Sequence, residues 1–104
     1  MKYRKFYIEI ASKAAYNNAM EKIVYHIHNQ GTLVQPGLHE KSNSQWKKDQ
    51  FGIVEYEKGN YFYHIDAHKK VRRLDVILSS TDDDDLEKRI EDLKFGTDLK
   101  EANS

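Results

Sequence analysis

Three strand-like segments follow one another in the second half of the chain, with only short connections between them. Residues 51–57, 61–66 and 71–78 are rich in the aromatic and β-branched side chains that are typical of strands. Residues 58–60, which include a glycine and an asparagine, connect the first two segments, and residues 67–70 connect the last two. Parallel neighbours need a crossover of about a dozen residues or more, so connections this short favour antiparallel neighbours. This region therefore predicts a three-stranded antiparallel meander.

The first half of the chain changes its hydrophobic period. Residues 3–11 alternate between apolar and polar side chains, a pattern typical of a half-buried strand. From Ser12 to Gln30, apolar residues recur every four positions, which predicts an amphipathic helix with one apolar stripe. Ser12 is of a type that caps helix N-termini, and Gly31 stands where a helix commonly ends. The stripe consists of Ala15, Ala19, Ile23 and Ile27.

The segment after this helix is harder to interpret. Residues 32–35 are a candidate short strand that ends at Pro36-Gly37. The polar run that follows, up to residue 50, contains the only tryptophan, Trp46, and indicates a long loop. Loops of this length in compact domains are usually either functional or disordered. The sequence leaves both alternatives open.

An acidic run opens the last element. Thr81 and residues 82–85 place a capping hydroxyl and several carboxylates ahead of an apolar stripe that ends near Gly96. Carboxylates here favour a helix, because they lie at the positive end of its dipole. The acidic run therefore has a structural cause. We expect one domain over residues 1–96 and a polar, disordered tail over residues 97–104.

These elements predict an α+β domain with the order β-α-β-β-β-α. We expect a single, mostly antiparallel sheet of about four strands, with both amphipathic helices packed on one of its faces. The other face of the sheet is then left to solvent or to a partner.

The composition limits the function classes. The chain has no cysteine, which excludes disulfides, thiolate catalysis and cysteine-based zinc sites. No apolar run is long enough to span a membrane, and the basic N-terminus has no signal-peptide core, so we expect a cytoplasmic protein without a membrane partner. The net charge is zero, but residues 1–80 carry a charge of +5 and residues 81–104 a charge of −5. A basic body is compatible with an anionic partner, and equally with two regions that neutralise each other in the fold.

Two histidine-containing patterns resemble metal-ligand sets. His26 and His28 lie two residues apart on the predicted helix, where about 200° of rotation separates their rings. His64, Asp66 and His68 would share one face of a continuous strand, but His68 falls in a predicted turn and is followed by two lysines. We therefore predict no metal site and no cofactor.

Catalytic motifs are absent from the sequence. None of its serines stands in a nucleophile elbow, and its five glycines are scattered rather than gathered in a phosphate-binding loop. We predict no catalytic residue, and these patterns do not indicate an enzyme, although they leave one open.

Aromatic and basic side chains occur together on the predicted sheet. Such side chains on an open sheet face can stack unpaired bases and hold phosphates. The alternative is that the tyrosines simply fill half-exposed positions. Residues 61–66 present either their odd-numbered or their even-numbered side chains to the outer face. The candidate partner-binding residues are Lys5, Tyr7, Trp46, Tyr63, Lys69, Lys70, Arg72 and Arg73.

The order of elements resembles that of ribosome-dependent messenger-cleaving toxins, which join a helical N-terminal half to a sheet that ends in basic and aromatic residues. The resemblance implies a metal-independent endoribonuclease of a toxin–antitoxin pair. Its working side chains would be Tyr63, His64, Lys69, Arg72 and Arg73. This alternative ranks second, because the acidic last helix would place negative charge near the RNA.

The first hypothesis is a small non-enzymatic binding module, such as the regulators or inhibitors encoded by phages and mobile elements. Its partner, a protein or a single-stranded nucleic acid, would meet the exposed sheet face or the loop of residues 35–50. The sequence leaves the oligomeric state open, with a dimer among the alternatives.

Overall fold

The computed structural model of the chain describes residues 2–35, 50–66, 72–94 and 97–102. This part of the chain contains two helices and six strands in the order β-α-β-β-β-β-α-β. The strands are β1 (Lys2–Ile10), β2 (Thr32–Gln35), β3 (Gln50–Tyr56), β4 (Gly59–Asp66), β5 (Arg72–Ser80) and β6 (Lys100–Glu101). Helix α1 is α-helical over Lys13–Ala19, π-helical over Met20–Val24 and α-helical again over Tyr25–Asn29, and helix α2 is Asp83–Lys94.

The six strands form one sheet in the order β2-β3-β4-β5-β1-β6, and every pair of neighbours is antiparallel. This confirms the α+β class, the antiparallel sheet, its central meander and the two helices. The prediction of about four strands was too low. The two strands beyond that count are the edge strands β2 and β6. The candidate strand of residues 32–35 forms β2, whereas β6 has only two residues, too few for a strand pattern.

Helix α1 begins at the predicted cap. The Ser12 hydroxyl accepts a hydrogen bond of 3.1 Å from the backbone N–H of Ala15. Four residues of an α-helix turn about 400°, so apolar residues spaced four apart shift by about 40° around the helix axis from one to the next. The wider π-helical segment takes up this drift and keeps Ile23 and Ile27 buried. At the other end of the stripe Ala15 is exposed, and the neighbouring Tyr16 is buried in its place.

Both helices contribute to one hydrophobic core. Burial alternates along β5, where every second side chain from Leu74 to Ser80 is buried. The apolar side chains among them belong to the same cluster as the apolar stripes of α1 and α2. The core is therefore a single layer between the sheet and the two helices. Its largest fully buried side chains include Tyr16, Tyr61 and Tyr63.

Helix α2 is capped by Asp82 and not by Thr81, which corrects the prediction. The Asp82 carboxylate accepts hydrogen bonds from the backbone N–H groups of Asp84 (2.9 Å) and Asp85 (3.3 Å). The Thr81 hydroxyl donates instead to the carbonyl oxygen of Lys58. A hydrogen bond from the Lys58 ammonium group lowers the pKa of Asp82. The turn after β3 and the start of α2 are thereby held together.

The described residues after helix α2 pack against the sheet. Leu99 is buried, and β6 pairs with β1 at the edge of the sheet. The Arg4 guanidinium donates to both carboxylate oxygens of Glu101 and lowers the pKa of that carboxyl. The sequence of this segment is mostly polar, but it contains one buried apolar residue, Leu99, and one partner of a bidentate ion pair, Glu101.

None of the described helices has the length and apolar character needed to cross a membrane.

Candidate functional site

The sheet has one face that the described helices leave uncovered. Its residues follow from strand alternation, because the neighbours of each buried residue point the other way. We call this surface the open face and define it by the outward residues of the four longest strands. They are Tyr3, Lys5, Tyr7 and Glu9 of β1, Phe51, Ile53 and Glu55 of β3, Asn60, Phe62 and His64 of β4, and Arg73, Asp75, Ile77 and Ser79 of β5.

An apolar row crosses the middle of the open face. Ile53 is paired with Phe62, Phe62 with Ile77, and Ile77 with Lys5, so four adjacent strands contribute one side chain each. The first three are half-buried by their neighbours. Cross-strand pairs of aromatic and β-branched side chains stabilise a sheet, but they leave their outer surfaces in water here. The row is therefore an apolar strip that the described helices do not cover.

Aromatic rings extend this strip on both sides. The side chain of Phe51 is 40% exposed and that of Tyr3 is 60% exposed, which makes them two of the most exposed large hydrophobic residues described. Tyr7 is half-buried beside Asp75 on the neighbouring strand. Aromatic side chains are enriched in protein–protein interfaces.

The cationic side chains of the open face already have contacts within the chain. Arg73 donates to the Asp75 carboxylate at 2.7 Å, and its guanidinium carbon lies 4.2 Å from the centre of the Tyr7 ring. The Lys5 ammonium group lies 5.7 Å from the centre of the Tyr3 ring. Such contacts hold the charged heads against aromatic rings. The two cations are part of an ordered surface and are not a cluster of unpaired positive charge.

The candidate residues from the sequence fall on different surfaces. Lys5, Tyr7 and Arg73 lie on the open face, as expected. Arg72 is paired with the buried Ile10 and belongs to the opposite face. The side chain of Tyr63 is fully buried, which corrects its prediction as a contact residue. Trp46, Lys69 and Lys70, and most of the 35–50 loop, lie outside the described residues.

The apolar strip itself was missed by the sequence interpretation. Ile53, Phe62 and Ile77 each have an apolar or aromatic residue next to them in the chain. Their strands are therefore apolar on both faces and show no apolar–polar alternation. The signal that could have found them is this lack of alternation. Strands of a two-layer domain that carry apolar residues on both faces have one apolar face without a helix to cover it.

Tyr63 has a structural role under helix α1. Its hydroxyl and the Nε2 atom of His28 are joined by a hydrogen bond of 2.9 Å. Its ring lies over Gly52, where an added Cβ would come within 2.5 Å of the ring carbon that carries the hydroxyl. Only glycine leaves room for the ring at this position. Burial raises the pKa of Tyr63 to about 12.

The raised tyrosine pKa predicts a loss of stability at alkaline pH. An unfolded tyrosine ionises near pH 10, whereas folded Tyr63 keeps its proton until about pH 12. The stabilisation is thus complete below about pH 10 and is lost as the pH rises towards 12, by about 1 kcal/mol at pH 11 for this residue. We expect urea midpoints to fall between pH 9 and pH 11, and to fall less in Tyr63→Phe. An equal fall in both proteins would contradict this role for Tyr63.

The histidines do not converge in the described part of the chain. The structure shows no group of three or more His, Asp or Glu side chains that could hold a metal ion among the described residues. His28 is half-buried against Tyr63, and His64 lies on the open face. His68 lies outside the described residues.

No protein-family model, curated protein or solved structure significantly matches this chain. The geometry of the open face therefore carries the functional argument.

Proposed function

We propose that this chain is a small non-enzymatic binding module that holds a protein partner against its open face. The observation that supports the proposal is the apolar row of Ile53, Phe62 and Ile77, with Phe51 and Tyr3 exposed beside it. Large apolar patches on a protein surface commonly mark interaction sites. A rigid antiparallel sheet presents this patch without the cost of ordering a loop on binding.

The charge on the open face favours a protein over a nucleic acid. Its described side chains include two cations, Lys5 and Arg73, and three anions, Glu9, Glu55 and Asp75. Nucleic-acid binding draws most of its affinity from the contacts of cations with phosphates. Lys100 of β6, which is paired with Tyr7, adds a third cation beside this face, so cations and carboxylates are equal in number. A surface without an excess of positive charge attracts a phosphate backbone only weakly, whereas mixed charges around an apolar centre are typical of protein interfaces.

The endoribonuclease alternative has less support. Tyr63 and His64 are successive residues of β4, and they point to opposite faces of the sheet. Arg72 and Arg73 are separated in the same way on β5. Side chains that act together on one phosphate must share one face, so these pairs cannot each supply two groups to one site. A binding surface requires no such convergence.

A capture experiment with surface variants tests the proposal. Phe62→Lys places a charge in the middle of the apolar row, and we expect it to weaken partner retention about tenfold or more. Glu91→Lys adds the same side chain to the exposed surface of helix α2 and serves as the matched control. Immobilised wild-type chain should retain a protein partner at physiological salt, with or without nuclease treatment. Melting curves of both variants show whether the fold is intact.

Two outcomes would contradict the proposal. Retention that nuclease abolishes would indicate a nucleic-acid partner. Retention that Phe62→Lys and Glu91→Lys leave equal would place the binding surface elsewhere on the chain.

A further inference from the structure

The geometry points to a second copy of this chain as the partner, packed face to face on the open face through a two-fold axis. This inference rests on the proposed function, because it names the partner of the same surface. Most soluble homo-oligomers are closed by such an axis, and each copy then uses the same patch. The patch must therefore be complementary to itself. The strand register determines which residues of the two copies face each other.

The register places apolar side chains opposite one another when the axis runs along the strands, between β4 and β5. This operation lays β4 over β5 of the second copy and β3 over its β1, and it keeps every cross-strand row in place. In the central row, Phe62 then meets Ile77 of the second copy. In the next row, Phe51 meets Tyr7 of the second copy. Face-to-face sheets with strands aligned within about 30° are a common packing arrangement.

The same operation gives carboxylates on the open face donors to face. His64 and Asp75 are paired within one row, so His64 of one copy faces Asp75 of the other. Glu55 and Tyr3 share another row, so the Tyr3 hydroxyl of one copy faces the Glu55 carboxylate of the other. Buried polar groups require such partners. Lys5 faces Ile53 of the second copy at the rim of the interface, where its long side chain extends to water. In these rows the apolar and charged side chains of the open face therefore match those of a second copy.

An axis that runs across the strands gives a worse match. When it passes through the central row, it lays each residue of that row over its own copy, so Lys5 meets Lys5 and, in the neighbouring rows, Phe51 meets Glu55 of the second copy. Two ammonium groups that face each other repel, and a carboxylate buried against an aromatic ring loses water and gains no donor. The charge pattern therefore selects the axis along the strands.

The size of the open face predicts a weak dimer. Four strands at about 4.8 Å spacing, each up to roughly 30 Å long, cover about 600 Å² on each copy. A total of about 1,200 Å² is at the lower limit of stable interfaces, so we expect association at micromolar concentrations.

Sedimentation at a series of concentrations, with two complementary variants, tests the inference. The weight-average mass of the wild type should rise from 12.3 kDa towards twice that value. Phe51→Glu alone and Tyr7→Lys alone should each weaken the dimer about tenfold or more, since each removes an aromatic ring from the contact and leaves a charged group to be desolvated without an opposite charge at both ends of the interface. An equimolar mixture should recover the dimer. The introduced glutamate of one variant then faces the introduced lysine of the other at one end, and the other end has the native Phe51 and Tyr7 side chains.

The recovery is diagnostic because the two positions are distant within one chain. Phe51 and Tyr7 share a row but lie three strand spacings apart, about 14 Å, so the new charges cannot pair within one copy. Recovery on mixing also shows that both variants are folded. A structural effect of either substitution would persist in the mixture.

Three outcomes would overturn the inference. The first is a wild-type chain that remains a monomer at about 200 µM, well above the expected dissociation constant. The second is a dimer that the mixture does not recover. The third is a dimer that Leu33→Lys on the edge strand β2 abolishes and the two open-face variants leave intact. If the chain is a monomer but still retains a protein that Phe62→Lys loses, the proposed function stands with another partner. If it retains none, both fail.

Discussion

Tyr63→Ala lowers the free energy of unfolding by about 3–5 kcal/mol, the range measured for removal of large buried aromatic side chains. The side chain of Tyr63 is fully buried, and its ring fills the space above Gly52. Its hydroxyl is hydrogen-bonded to His28, so the substitution removes a link between the sheet and helix α1 as well. Domains of this size are stable by about 5–15 kcal/mol in total. Urea or guanidinium denaturation would measure the change.

Tyr63→Phe is the matched control for this prediction. It keeps the ring over Gly52 and removes only the hydroxyl, so we expect it to cost about 0.5–1.5 kcal/mol. The difference between the two variants then reports the packing of the ring. A loss below about 1 kcal/mol in Tyr63→Ala would mean that the ring is not in the core and that the two faces of β4 are reversed.

Ile27→Ala lowers the free energy of unfolding by about 2–4 kcal/mol. Ile27 is buried near the C-terminal end of α1, in the cluster that includes Ile23, Leu86 and Ile90. The loss comprises the transfer free energy of the removed methyl and methylene groups and the cavity that remains. The matched control is Lys22→Ala, because Lys22 is exposed on the same helix and alanine favours the helix slightly.

The comparison of these two variants tests the register of α1. The control should change stability by less than about 0.5 kcal/mol, as surface substitutions usually do. If Ile27→Ala were near-neutral, the apolar stripe of α1 would not face the sheet. Chemical denaturation of both variants at one pH and one salt concentration provides the measurement.

The order of local elements could be predicted from the sequence because local patterns determine it. The meander from β3 to β5 follows from short connections, and both helices follow from apolar stripes of helical period. The Asp85–Arg89 ion pair, at 3.2 Å, joins side chains four residues apart on α2, as local sequence spacing allows. These features depend on residues that lie within a few positions of one another.

Features that depend on distant residues could not be predicted in the same way. Strand β1 lies beside β5, about 70 residues away in the chain, and nothing in either sequence specifies that pairing. The edge strand β6 has no strand pattern of its own, because it is two residues long and only the neighbouring Leu99 is buried. The cap of α2 was assigned to Thr81, since a threonine and an aspartate are both suitable N-caps and only the turn at Lys58 decides between them.

Within strand β4 as well, the sequence alone could not predict which side chains lie on the open face. Residues 61–65 are apolar or aromatic at both odd and even positions, apart from His64, so period-2 alternation could not say which set faces the helices. Packing decides it, since the odd positions of β4 are paired with Val54 of β3 and with Leu74, Val76 and Leu78 of β5 in the core. The same packing leaves Phe62 on the open face, where the sequence interpretation had not placed a contact residue.

Photo-crosslinking from the open face tests the central claim most directly. A photoreactive phenylalanine analogue in place of Phe62 stands in the middle of the apolar row, and the same analogue in place of Glu91 stands on the exposed surface of α2. If the open face holds a protein partner, irradiation should give a protein adduct from position 62, unaffected by nuclease, and little or none from position 91. An adduct with nucleic acid at position 62, or equal protein adducts from both positions, would contradict the claim.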